Sequence, residues 1–243
     1  MNTFIPACCT APARHWPFAL ALPGAVLFNS HFEPSQLSPG DFTASAIPAP
    51  ASVQRSVAKR QAEYLVGRLC ARTALQVVND ALTVHTPSLA PMLGEDRAPV
   101  WPAHISGSIT HTGGWAAAIV APRATCRGLG LDAECLIEAS RAERLAGEIL
   151  TPAELLRLAK LPGAQRAQLI TLTFSIKESL FKALYPLVLK RFYFEHAEVL
   201  DWTADGHVRL RLLTDLSAEF HQDVEVAGQF NVDDGRVLTL VHV

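Results

Sequence analysis

The 243 residues carry a formal net charge of -2, so no overall charge draws the chain to nucleic acid. Hydrophobic residues make up 49% and charged ones 18%, which excludes a disordered chain and allows one large domain or two small ones. No stretch approaches the roughly 20 uninterrupted apolar residues of a membrane helix, and Cys8, Cys9, Cys70, Cys126 and Cys135 form an odd set without a CxxC pair, which suits a reducing cytoplasm and neither a disulfide framework nor a zinc knuckle.

The apolar N-terminus has no basic residue before its apolar run and is interrupted by Arg14, His15 and several prolines, so it reads as mature structure and not as a signal peptide. Leu37 to Ser52, rich in Pro, Ser and Ala, reads as a loop. In VQRSVAKRQAEYLVGRLCARTAL the positions Val57, Ala58, Ala62, Leu65, Val66, Leu69, Cys70 and Ala74 recur at spacings of three and four, which predicts one buried stripe on a long helix flanked by Arg55, Lys59, Arg60, Arg68 and Arg72. Proline and glycine break the pattern from Pro87 to Pro102. ISGSIT and WAAAIV then read as two strands joined by HTGG, and GLGLDAE as the next strand.

Thr151, Pro152 and Glu154 supply a hydroxyl cap, a proline at the first helical position and the glutamate of a capping box. A second long helix is expected from Arg166 to Tyr185, ended by Pro186. The remainder is strand-like in YFEHAEVLDW, HVRLRLL and RVLTLVHV, with hairpin turns at Asp205-Gly206 and Asp234-Gly235. Each half thus holds a main helix and several strands.

Three stretches could carry chemistry. In GLGLDAE, Asp132 and Glu134 project from one face of a strand, where two like charges repel unless a cation lies between them; an exposed acidic strand end is the plainer alternative. A site of few carboxylates suits Mg²⁺, which shares its shell with waters and a phosphate. Gly128, Gly130 and Ala133 also fit the dinucleotide pattern G-x-G-x-x-A, although no apolar strand precedes them and the two carboxylates would stand where a pyrophosphate belongs.

In FSIKESLFK, Glu178 and Lys182 share a helix face, as an ordinary surface ion pair or as a third oxygen ligand with a phosphate contact, while Phe174 and Phe181 point near the opposite side. SGSITHTGGW sets small and hydroxyl residues around His111, either a phosphate contact or a hydrogen-bonded turn histidine. No histidine spacing matches a zinc site.

Taken in order, ITHTGGW, GLGLDAE and FSIKESLFK resemble the three motifs of the 4'-phosphopantetheinyl transferases, of the surfactin-synthetase-activating type and closest to the enterobactin synthase component D branch. His111 precedes Asp132 by 21 positions and Glu134 precedes Glu178 by 44; the likeness extends to KRQAEYLVGR and GEDRAPVWP and covers about Arg55 to Pro186. The resemblance implies Mg²⁺-dependent transfer of the phosphopantetheine arm of coenzyme A to a serine of acyl, peptidyl or aryl carrier proteins, with release of 3',5'-ADP. It implies that Asp132, Glu134 and Glu178 hold the metal, and that Thr110, His111 and Lys182 contact coenzyme A phosphates. Lys59, Arg60 and Arg97 fall where the family places basic residues around the 3'-phosphate. Thr110 stands where serine is usual and Phe174 where tryptophan is common; both keep the needed chemistry. Glu178 or a metal-bound water is the candidate base for the serine, and Lys182 a stabiliser of the departing phosphate.

The expected fold is therefore α/β, of the α+β kind: a pseudo-dimeric monomer of two similar subdomains, 1–121 with the basic residues and His111, and 122–243 with the carboxylates and catalytic helix. Each is expected to be a small, mostly antiparallel sheet on a long helix, with coenzyme A and Mg²⁺ in the cleft between them. The expected setting is cytoplasmic, without a membrane span or nucleic acid. A non-catalytic coenzyme A or nucleotide-binding module is the rival reading.

Overall fold

A computed structural model describes residues 4–84 and 89–243. Pro87, where the broken stretch is expected to begin, lies outside the described residues, as do the first three residues of the N-terminal segment.

The chain forms two compact units, one from residues up to Trp16 with Leu22–Cys126, the other from Pro17–Ala21 with Arg127–Val243. In the first, β1 (Ala13–Arg14) and β2 (Val26–His31) are followed by short helices α1 (Asp41–Ala44) and α2 (Ala51–Gln54), then by α3 (Ala58–Ala81). A small hairpin of β3 (Met92–Leu93) and β4 (Pro99–Val100) precedes β5 (Ile105–Thr112) and β6 (Trp115–Pro122). The sheet runs β1-β2-β6-β5, antiparallel throughout.

The helix expected across 53–75 is broken at Arg55–Val57, and Val57, expected in the buried stripe, is 73% exposed; Ala58 is exposed as well. From Ala62 onward the stripe holds, with Ala62, Val66, Cys70 and Ala74 packed on Phe28, Ala116, Ala118 and Val120. The helix buries a second face, on which Tyr64, Leu65 and Leu69 pack with Cys8, Val53 and, from the stretch read as a loop, Ile47. Arg68, expected at the flank, is therefore buried: its Nε donates to Pro91 O at 2.7 Å and its guanidinium lies 4.5 Å over the Tyr64 ring.

The second unit runs β7 (Leu129–Cys135), α4 (Ala139–Ile149), α5 (Pro152–Leu158), α6 (Gly163–Val188), β8 (Ala197–Trp202), β9 (His207–Leu212), β10 (Glu225–Asp233) and β11 (Arg236–His242). Its antiparallel sheet has the order β7-β11-β10-β9-β8. The core lies between sheet and helix, where Ile176, Leu180 and Leu184 of α6 meet Val199, Val208, Leu210 and Val241.

The capping box of α5 forms as expected. Pro186 does not end α6; it lies inside the last turn, and the helix stops at Leu189 in the left-handed region, φ 51°. The unit also contains two elements that the alternation and helix-start patterns do not give, α4 and β10. Side-chain atoms of Gln229 on β10 hold Leu20, accepting from its N-H at 2.7 Å and donating to its carbonyl at 3.2 Å, which ties the 17–21 segment to this sheet.

Candidate active site

Asp132 and Glu134 stand two apart on β7, opposite Thr239 and Val237 of β11. Helix α6 crosses this strand so closely that a Cβ at Gly130 would lie 1.8 Å from Ser179 O, and one at Gly128 2.4 Å from Ala183 O. The glycines thus permit helix-on-strand contact. They do not form the turn that opens a helix in a dinucleotide site, so the G-x-G-x-x-A reading is set aside.

Asp132 is only 5% exposed. Its Oδ2 accepts from Ser175 Oγ at 2.8 Å and its Oδ1 from Lys182 Nζ at 2.6 Å, both donors on α6. Ser175 and Ser179 in turn share the Thr239 hydroxyl at 2.9 and 2.7 Å, which fixes the donors of one element against the strand of another. Lys182 also donates to Leu131 O at 3.1 Å. Its ion pair is therefore with Asp132, across the β7–α6 contact, and not the local one with Glu178 that their spacing allows.

Burial pushes the Glu134 carboxyl up to about 7; the charge of Asp132 adds to this and Lys182 opposes it. Burial likewise raises Glu178, again opposed by Lys182 and assisted by Asp132. Three carboxylates thus share one neighbourhood with one ammonium group, and two of them hold their protons more tightly than usual. A divalent cation would relieve this repulsion, and an all-oxygen donor set suits Mg²⁺. Among the described residues no three His, Cys, Asp or Glu side chains already converge as a metal cage, so binding requires the carboxylates to re-aim.

Beside Glu178 opens a cavity of about 190 Å³ walled by Phe181, Phe192, Tyr193 and Phe194, with Arg191 at its edge. Phe181, expected near the opposite side from Glu178, instead lines the same cavity. It stacks on Tyr185 at 5.1 Å and packs on Phe192 at 5.3 Å.

The same cavity is lined by a residue that the pattern of FSIKESLFK does not single out. Lys177, 3% exposed, donates to Glu154 Oε2 at 2.7 Å, Ile149 O at 2.9 Å and Phe194 O at 3.1 Å. Glu154, the capping-box residue, also accepts from Thr151 N at 2.7 Å and Val199 N at 2.6 Å. One buried pair thus joins α5, α6, β8 and the cavity wall. The available signal was a charged residue at a core position, three residues after Phe174.

In the first unit the expected turn histidine is on a strand: His111 lies in β5 opposite Ala116, and Thr110, buried, opposite Ala117. Arg60 of α3 donates through Nη1 to His111 Nε2 at 2.8 Å, and Glu63, one turn along the same helix, faces both. Glu63 is absent from the sequence-derived set. Lys59 is exposed at the start of α3, and Arg97 sits at the tip of the β3–β4 hairpin with φ 71°.

Two family models match the chain: the 4'-phosphopantetheinyl transferase N-terminal domain over residues 49–121 and the 4'-phosphopantetheinyl transferase superfamily over residues 128–241. The chain is 37% identical to enterobactin synthase component D of Escherichia coli O157:H7, over 69% of this chain and 72% of that one. It is 32% identical to the 4'-phosphopantetheinyl transferase Npt of Nocardia iowensis, over 74% of each. It is also 33% identical to the 4'-phosphopantetheinyl transferase PptT of Mycobacterium tuberculosis, over 78% of this chain and 82% of that one.

Proposed function

Because this chain belongs to the 4'-phosphopantetheinyl transferase superfamily, we infer that it moves the phosphopantetheine arm of coenzyme A onto a serine of carrier proteins and releases 3',5'-ADP. The observation that carries the assignment of the site is the grouping of Asp132, Glu134 and Glu178 around Lys182, beside an apolar cavity.

In this reading Asp132, Glu134 and Glu178 hold Mg²⁺, which when bound neutralises charge on the pyrophosphate. The serine oxygen attacks the phosphorus of the pantetheine phosphate, the bond from that phosphorus to the bridging oxygen breaks, and the leaving 3',5'-ADP carries off the charge. Glu178 or a metal-bound water is the proton acceptor for the serine. Lys182 places its ammonium against the charge that grows on the leaving phosphate. The aromatic walls of the cavity offer an apolar seat for the pantetheine arm. Thr110, His111, Arg60, Lys59 and Arg97 contact coenzyme A phosphates, with the Arg60–His111 contact the best supported of these.

The enzyme acts as a cytoplasmic monomer in this account. Its five free cysteines fit a reducing compartment, and among the described residues no helix is long and apolar enough to cross a membrane. The two sheet-and-helix units within one chain fit a monomer.

The test is incubation with coenzyme A, MgCl₂ and a panel of apo-carrier proteins from fatty acid, polyketide and peptide synthesis, followed by intact mass. One phosphopantetheine added to at least one carrier, with equimolar 3',5'-ADP, is the expected result. Coenzyme A binding with no modified carrier would favour the binding-module reading.

A further inference from the structure

One member of the polar group on α3 and β5 has no part in the function proposed above. The Oε2 of Glu63 lies 3.3 Å from Arg60 Nη1 and 3.6 Å from His111 Nδ1, while Arg60 Nη1 donates to His111 Nε2 at 2.8 Å. A guanidinium has no lone pair to offer, so Nε2 is the acceptor in that bond. The ring proton then sits on Nδ1, the nitrogen that faces Glu63. The Glu63 side chain is 12% exposed against 40% for Arg60 and 33% for His111, so the carboxylate is the anchored member and the two basic groups reach outward from it.

A carboxylate beside an anion site weakens the raw attraction for the anion, so its contribution there is to geometry and not to charge. Arginine and histidine side chains left to rotate lose that freedom when a ligand orders them, and a fixed partner removes part of this cost beforehand. Hydrogen bonding at one ring nitrogen also decides what the other can do.

We propose that Glu63 is a positioning residue for coenzyme A binding, holding His111 as its Nδ1–H tautomer so that the ring's Nε2 accepts from Arg60 and keeps the guanidinium in place to donate its remaining N–H groups to one phosphate. The proposal rests on the reading of the Arg60–His111 pair as part of a phosphate site.

The experiment compares Glu63→Leu, Glu63→Gln and His111→Ala with the wild type, by ¹⁵N NMR of the imidazoles in the free proteins and by steady-state kinetics. Wild type should show His111 protonated at Nδ1. Glu63→Leu should shift the ring toward Nε2–H and raise the KM for coenzyme A about tenfold, leaving kcat and the carrier KM within about twofold. Glu63→Gln retains an acceptor and should lie between the two, which gives a readout if the leucine variant fails to fold. Folded Glu63 variants with the wild-type tautomer and coenzyme A KM, beside a defective His111→Ala, would overturn the proposal alone. A wild-type coenzyme A KM in His111→Ala would overturn the phosphate reading and the proposal with it.

Discussion

Lys182 engages Asp132, 2.6 Å away across the β7–α6 contact, and is the cation that makes three neighbouring carboxylates tolerable in the free protein. Its replacement by methionine leaves Asp132 buried beside Ser175 without the ammonium and removes a cation that opposes protonation of Glu134 and Glu178. Lys182→Met should therefore lower kcat/KM by about 100-fold and move the acidic limb of the pH–rate profile to higher pH. A pH series of initial rates checks both; an unmoved limb would contradict the electrostatic account.

The pH dependence of stability follows from Glu134. Its folded-state pKa, about 7, lies above the unfolded value of about 4.3, so the native state holds the proton more tightly. The stabilisation this provides is complete below the unfolded value and is lost as pH rises through about 7. Between these limits the wild type should lose melting temperature relative to Glu134→Gln, and MgCl₂ should restore it above pH 7 in the wild type alone. Melting curves of both proteins with and without Mg²⁺ give the answer.

Lys177 and Glu154 form a pair that is costly to halve. With the ammonium removed, the Glu154 carboxylate remains buried with only backbone donors, Thr151 N and Val199 N, and the Phe194 carbonyl loses a donor. Lys177→Met should destabilise the protein by about 3 kcal/mol in urea unfolding. Lys182→Met, whose side chain is 28% exposed, should cost less.

The contact between β7 and α6 leaves no room for a methyl group. Gly130→Ala would set a Cβ against the Ser179 carbonyl, which as helix backbone cannot step aside, so the strand must shift and take Asp132 with it. A loss of about 3 kcal/mol together with most of the activity is expected. Ala133, between the two carboxylates, is fully buried, so a larger apolar residue there should also destabilise and is not neutral as its outward alternation would imply. Unfolding and turnover of Gly130→Ala and Ala133→Val check the pair.

Much of this architecture was legible in local patterns. The Thr151–Glu154 capping box, the hairpin closed by Gly113 and Gly114 and the turn at Asp234-Gly235 each depend on a few adjacent residues, and each forms as expected. Helix α4 was legible in principle, because Glu138 caps it and Ala142, Ala146 and Ile149 share a face, but its apolar residues are small and few. Strand β10 hides its period behind Gly228, Gln229 and Asn231. The site carboxylates and Lys182 stand out through charge and spacing. What local patterns cannot give is partner choice: that Lys182 turns to Asp132, that Lys177 reaches Glu154, and that Glu63 meets His111 all depend on tertiary contacts between distant segments.

The central claim is that the carboxylates of the second unit carry a metal-dependent transfer. Its most direct test is the initial rate of carrier modification, read by intact mass, for the wild type with and without EDTA and for Asp132→Ala, Glu134→Ala and Glu178→Gln at saturating MgCl₂. The account predicts complete loss with EDTA and a fall of more than about 100-fold in each variant. A wild-type rate in all three variants, or full activity in EDTA, would contradict it.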